Sequence, residues 1–460
     1  MRVNKYNIGK RRKKLKALRK ELESTQLKAF HKMLPARRIR QIYKGNGDCF
    51  RNRLLTPPVT VFHMLNAAIS REKSFQSAWH NIGQTGRSDR LARARQRLPL
   101  NLWQELHEWS IKQIGDEFKP EIYWRGHRVI GVDGTGVSMS DEPELTKVFG
   151  KSGSKHGASR FPIARVVFTF LLNPLIALGH KIGPYKTSEN ALFSELLKSL
   201  QAGDLIIGDR RYAGAPRYVE YQRAGLEFIT RAHHRLKVEL LKVIQVLGKN
   251  DLVVELPISP TYRRKDPTLP KSIPVRVIKT RIKIRGKKTS IWLVTSLPDG
   301  RKYPAAEIKL WYKRRWKLEG LMEEIKISLG ADILRSKKEA GIYKELYSRV
   351  MAFNLTHWLI MKAGRKHHKA QERISVSATI RLTIVYSLKM STAPDGQIPL
   401  LYEELLEKIA DSTVSSRPGR SEPRMKKRDQ KHYSILKISR AEWRAINEKS
   451  EYVTKVKIRA

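Results

Sequence analysis

The chain has 460 residues, with 92 Lys and Arg against 43 Asp and Glu, a formal charge of +49 that points to a polyanionic partner, nucleic acid first and an acidic membrane surface second. One cysteine, Cys49, excludes an intrachain disulfide and a cysteine-based zinc site and fits a reducing cytosol. The most apolar run, residues 166–178, is too short to span a bilayer and is broken by Asn173-Pro174, and no apolar core follows the basic N-terminus, so neither a membrane span nor a secretory signal is read.

Residues 1–47 hold sixteen Lys or Arg and two acids, and Leu15, Leu18, Leu22 and Leu27 fall near one helical face. Thr56-Pro57-Pro58 is a helix start. These signals predict a basic helical DNA-binding domain over 1–110, against the alternative of an ordinary solvated surface. From 120 to 233 the pattern changes. RVIGVDGTG (128–136) is an apolar run ending in Asp133 and a glycine turn. ARVVFTFLL and LIALGHKIG read as strands around Asn173-Pro174, and Ser188 as the N-cap of an amphipathic helix. DLIIGDRRY repeats the first pattern and ends in Asp209, and a helix and the strand LEFITRA follow. The order predicts an α/β layer with some parallel pairing.

Residues 234–288 read as a β-rich insertion. Within it Lys279, Arg281, Lys283 and Arg285 alternate with Ile278, Thr280, Ile282 and Ile284, giving a strand with one cationic face and a hairpin through Gly286. A merely solubilising face is the alternative. TSIWLVTS reads as the second strand of that hairpin, the chain returns to helix from Pro304, and 366–460 form a C-terminal helical region with a basic tail. The glycines of FGKSGSKHGASR (149–160) make no phosphate loop and read as a mobile basic loop, and His233-His234 lacks a spaced partner for metal binding.

In WYKRRWKLEGLMEEIK (311–326), Tyr312, Arg315, Glu319 and Lys326 are separated by three, four and seven residues. On one continuous helix those steps keep the four within an arc of roughly 60°. An acid set among phosphate-binding cations makes sense if a divalent ion stands between it and DNA. Asp133 and Asp209, both after apolar runs, would complete a three-carboxylate site for two ions. Each acid also has a plainer reading: Asp133 as a turn residue, Asp209 as a helix cap, Glu319 as the i,i+4 partner of Arg315.

Tyr312, two residues, Arg315, three residues, Glu319, six residues, Lys326 resembles the Y-R-E-K signature of the "IS-four" group of DDE transposases, which includes the Tn-five type. Asp133-Gly134-Thr135 resembles the context of the family's first acid. Asp209-Arg210-Arg211-Tyr212 resembles that of its second, with Arg211 where glycine is common. The resemblance spans roughly 125–335. It implies an RNase H-like catalytic core interrupted by a β-rich insertion, in two parts (120–233 and 289–365). It also implies Asp133, Asp209 and Glu319 as catalytic ligands of two Mg²⁺ ions, with Mn²⁺ as substitute. Tyr312, Arg315 and Lys326 would hold terminal phosphates, with Trp292 and Trp316 at a flipped base; core packing is the alternative for both tryptophans. The implied activity is cut-and-paste transposition on double-stranded DNA, by a homodimer in a synaptic complex on element ends and target, in the cytoplasm of a bacterial-type cell. The alternatives are an inactive, transposase-derived or other basic nucleic-acid binder, and a nuclease that cuts without joining.

Overall fold

A computed structural model of the protein describes residues 5–46, 54–70, 75–80, 88–154, 157–284 and 287–415, with Glu442 and Ala445 beyond them. The expectations for Cys49, Arg285, Gly286 and the basic tail lie outside the described residues.

The N-terminal part is helical: α1 (Lys5–Thr25), α2 (Ala36–Gly45), α3 (Pro57–Ile69), α4 (Phe75–His80), α5 (Ser88–Arg97), α6 (Leu100–Glu117) and α7 (Lys119–Ile122). Thr56 caps α3 by accepting the Val59 N–H, with prolines in the first turn where no backbone donor is missed.

The sheet follows. Short β1 (Tyr123–Trp124) leads into β2 (His127–Met139), then come α8 (Pro143–Phe149), β3 (Lys151–Ser154), β4 (Gly157–Leu172) and β5 (Leu175–Pro184). The 151–154 stretch thus pairs with β4 and is not a loop. Ser188 caps α9 (Glu189–Leu197) through the Ala191 N–H at 3.1 Å. Next are β6 (Leu205–Gly208), α10 (Ala215–Arg223) and β7 (Glu227–Arg231). β5, β4 and β2 pair antiparallel, whereas β2, β6 and β7 pair parallel.

Four further strands extend the same sheet: β8 (Lys242–Gly248), β9 (Asp251–Pro257), then α11 (Pro260–Lys265), β10 (Ser272–Ile284) and β11 (Lys287–Thr295). β11 pairs antiparallel with β7, so the added strands continue the sheet edge, in the order β7-β11-β10-β9-β8. Buried Arg276 on β10 secures them. It ion-pairs with Asp251 at 2.5 Å and donates to the carbonyls of Leu297 and Tyr303 at 3.3 and 2.7 Å.

The chain then forms α12 (Ala305–Arg314), α13 (Lys317–Glu323), a π-helical turn (Glu324–Ser328), β12 (Ile333–Leu334) on β2, α14 (Glu339–Lys366), α15 (Val376–Thr392) and α16 (Ile398–Asp411). α14 is largely buried, packed against α3, α6, α16 and β5. Its Asn354 side chain both accepts from and donates to the Ala177 backbone, at 2.8 and 2.9 Å, which ties helix to sheet without leaving either amide unpaired. Among the described residues no helix is long and apolar enough to cross a membrane.

Candidate active site

The parallel register of β2 and β6 sets the site. Gly131 lies opposite Ile207. Two residues further on, the same register brings Asp133 level with Asp209, just past the end of β6 and still in extended backbone. In-register neighbours point to one face of a sheet, so the two carboxylates share that face. Asp133 is not at a strand end, as the sequence suggested: it is the seventh of the thirteen residues of β2, which runs on through Gly134. Asp209 directly follows the end of its strand and caps the turn after it, accepting the Arg211 N–H at 2.7 Å.

Burial pushes the Asp133 carboxyl up to about 6; the Gly134 N–H, donating at 2.8 Å, opposes this, and the Asp209 charge adds to it. Arg315 lowers it and Glu189 raises it further, so both lie within electrostatic reach.

Glu319 arrives by way of a glycine. A Cβ on Gly131 would stand 2.6 Å from Cδ2 of Leu318, so the missing side chain lets α13 settle directly on β2. Glu319 is next in sequence to Leu318, but its side chain is 64% exposed and meets Arg315 at 4.0 Å. Among the described residues no three His, Cys, Asp or Glu side chains stand together as one metal site. The fit to a divalent ion is therefore partial. Asp133 and Asp209 are a crowded pair of oxygen donors whose repulsion a hard cation would relieve, while Glu319 faces Arg315 instead.

The single helical column also needs correction. Arg315 and Trp316 form a turn between α12 and α13, and Lys326 sits in the π-helical turn. The four signature residues are therefore carried by two helices and a π-helical turn, not by one continuous helix. Tyr312 is buried, at 1% exposure, with Trp316 edge-on at 6.0 Å and the Arg315 guanidinium 4.9 Å from the Trp316 ring. Arg315 is 14% exposed, and its Nε has no acceptor among the described residues. Lys326 donates to Thr135 Oγ1 at 3.2 Å, beside the first acid.

Trp292 on β11 lies opposite Lys279 on β10, half-buried, with the Lys279 ammonium 5.4 Å from its ring centre. Lys279 and Arg281 are exposed while Ile278 and Ile282 are buried, as the alternation required. The side chain of Lys283 and all of Arg285 lie outside the described residues. His233 and His234 are exposed, with their rings 4.1 Å apart and tilted.

Sequence reasoning missed Glu189. It is 7% exposed in the first turn of α9 and accepts from Arg165 and Arg211 at 2.7 Å and from the Tyr212 hydroxyl at 3.3 Å. Its Cδ lies 2.6 Å from where a Gly134 Cβ would be. The only signal in the sequence was an acid just after the Ser188 cap, a position that helix-dipole effects already explain.

A family profile described as "Transposase DDE domain" matches residues 124–355. The chain is 26% identical over 324 residues, 68% of its length and 71% of the relative's, to "Transposase InsG for insertion sequence element IS4" from Escherichia coli strain K12. Among solved structures it is similar to the piggyBac transposase synaptic complex with hairpin DNA. The TM-score is 0.40 and the identity 11%, over 79% of this chain and 77% of that one.

Proposed function

Because the chain belongs to the IS4 family of DDE transposases, we propose that it moves an insertion sequence by cut-and-paste transposition, with Asp133, Asp209 and Glu319 as its catalytic acids. The observation that carries this reading is the β2–β6 register, which sets Asp133 beside Asp209. The strand order β5-β4-β2-β6-β7 supports an RNase H-like core, and β8 to β11 an insertion into it. The proposed domains are 1–110, 120–233, 234–288, 289–365 and 366–460.

Asp133 and Asp209 would hold Mg²⁺ or Mn²⁺, joined by Glu319. When bound, two such ions activate an attacking oxygen and stabilise the leaving one. The chain's own contribution is position and charge. Arg315 is held between Glu319 and the field of Asp133. A DNA phosphate that takes the guanidinium would release Glu319 towards the pair. Tyr312 is buried and so acts by bracing Arg315 and Trp316, while Lys326 holds Thr135 and a phosphate. Water nicks one strand at the element end. The freed 3′-OH attacks the opposite strand to give a hairpin, a second water opens it, and the final 3′-OH joins target DNA. Trp292, with Lys279 beside it and Arg281 on the same face, receives the base displaced at the hairpin. The partners are double-stranded DNA and a second copy of the chain in the synaptic complex, in the cytoplasm of a bacterial-type cell.

The pairing of Glu319 with Arg315 favours one second reading, a DNA-binding protein that performs no chemistry. Incubation with the DNA ends flanking its own gene and Mg²⁺, read on a denaturing gel, separates the two. Nicked, hairpin and joined products support transposition. Nicks without joining indicate a nuclease, and binding without nicks the second reading. Asp133→Asn, Asp209→Asn and Glu319→Gln should each abolish nicking while end binding survives; retained nicking removes that residue from the site.

A further inference from the structure

A cleft of about 410 Å³ lies between α5 and the start of α14. Its lining includes Arg95, Arg335, Lys337, Lys338 and Lys344, and no acid among the described residues. Lys337 has a partner, Glu142, at 3.0 Å. Lys344 is 8% exposed and donates to the carbonyl of Gln96 at 3.0 Å, and burial and the charge of Arg95 both lower its pKa. Arg95 lies with its guanidinium 3.6 Å from the Phe75 ring centre, and its Nε is buried with no acceptor among the described residues. The nearby acid, Glu345, is already engaged: it accepts from the Arg335 and Ser336 N–H groups and from Arg349 at 2.9 Å. Two cations, both partly desolvated, therefore face one space with no acid among its described lining residues, and only the field of the already engaged Glu345 reaches Arg95.

We propose that this cleft binds a phosphate group of the DNA backbone. The inference rests on the DNA reading above but concerns a different place. Leu334, just before Arg335, pairs with Met139 of β2, six residues past Asp133 and so about 20 Å along the strand. A backbone phosphate suits the cleft better than a free nucleotide. Among the described residues no aromatic side chain lines it to stack a base, and the exposed Arg335 and Lys338 continue the positive charge outward. It would anchor DNA at the seam between the N-terminal helices and the sheet.

The test is binding of the full chain to a duplex of the element end, by fluorescence anisotropy over a salt series. Arg95→Gln and the surface pair Arg335→Gln/Lys338→Gln should each weaken binding several-fold. Each should also make the plot of log affinity against log salt shallower, by roughly one unit for every phosphate no longer neutralised. The surface pair keeps the test valid if the Arg95 variant misfolds. Slopes and affinities equal to wild type overturn the proposal. A parallel thermal-shift titration with inorganic pyrophosphate separates the sources. Stabilisation of wild type but not of the variants, with DNA binding unchanged, would mean that the cleft takes a free anion and would overturn the DNA assignment. Failure of the wild type to bind DNA at all would instead remove the transposase reading beneath it.

Discussion

Lys326 donates a 3.2 Å hydrogen bond to the hydroxyl of Thr135, joining the π-helical turn to the strand that bears the first acid. The bond and the charge can be separated. Lys326→Ala should weaken DNA binding and lower the salt slope by about one. Thr135→Val keeps the charge and loses one hydrogen bond, a cost of about 1 kcal/mol. Its salt slope should match wild type while nicking falls. Equal salt slopes for Lys326→Ala and wild type would count against a phosphate contact.

Glu189 holds Arg165, Arg211 and Tyr212 behind the acid pair. Removing its charge leaves Arg165 half-buried without its counter-charge, held only by the Tyr185 carbonyl and ring. Glu189→Gln should cost about 3 kcal/mol of stability in denaturant titration. Arg211→Ala should cost under about 1 kcal/mol, because that side chain is 64% exposed. Gly134→Ala should resemble Glu189→Gln, since the new methyl would occupy the carboxylate's place. A larger loss for Arg211→Ala than for Glu189→Gln would reverse the assignment of Glu189 as the anchor of the cluster.

Trp292 shares a cross-strand pair with exposed Lys279 and is only half-buried. Trp292→Ala should therefore slow hairpin formation more than the first nick in a time course on end DNA. Equal losses at both steps would make it a packing residue.

Four histidines, three of them buried and His31 partly so, give the fold a defined acid sensitivity. Burial pushes His31, His63 and His107 down to about 4, and His180 to about 3, from 6.5. The unfolded chain binds these protons first, so the stability they confer is present above pH 6.5 and is lost as pH falls towards 4. The thermal midpoint should drop markedly between pH 7 and pH 5. A flat profile over that range would show that these rings are protonated at little cost.

The strands β2, β4 to β7, β10 and β11, the Thr56 and Ser188 caps and the cationic face of β10 were legible because each follows from local periodicity or capping chemistry, whereas β3 read as a loop. Asp133 and Asp209 were legible as a pair because two apolar runs end alike. What local pattern could not carry was non-local. The helix break at Arg315–Trp316 and the seat of α13 on Gly131, a contact between residues 187 positions apart, leave no local pattern. Glu189 is defined by partners on β4 and after β6. The cleft at Arg95 exists only once α5 and α14 meet.

The central claim is that Glu319 joins Asp133 and Asp209 around divalent ions once DNA draws Arg315 away. Mn²⁺ binding, followed by electron paramagnetic resonance with and without end DNA, tests it most directly. Asp133→Asn and Asp209→Asn should weaken Mn²⁺ binding in both states, and Glu319→Gln only when DNA is present. Wild-type Mn²⁺ affinity in the Glu319→Gln complex with DNA would contradict the claim and leave a pair of aspartates without their third partner.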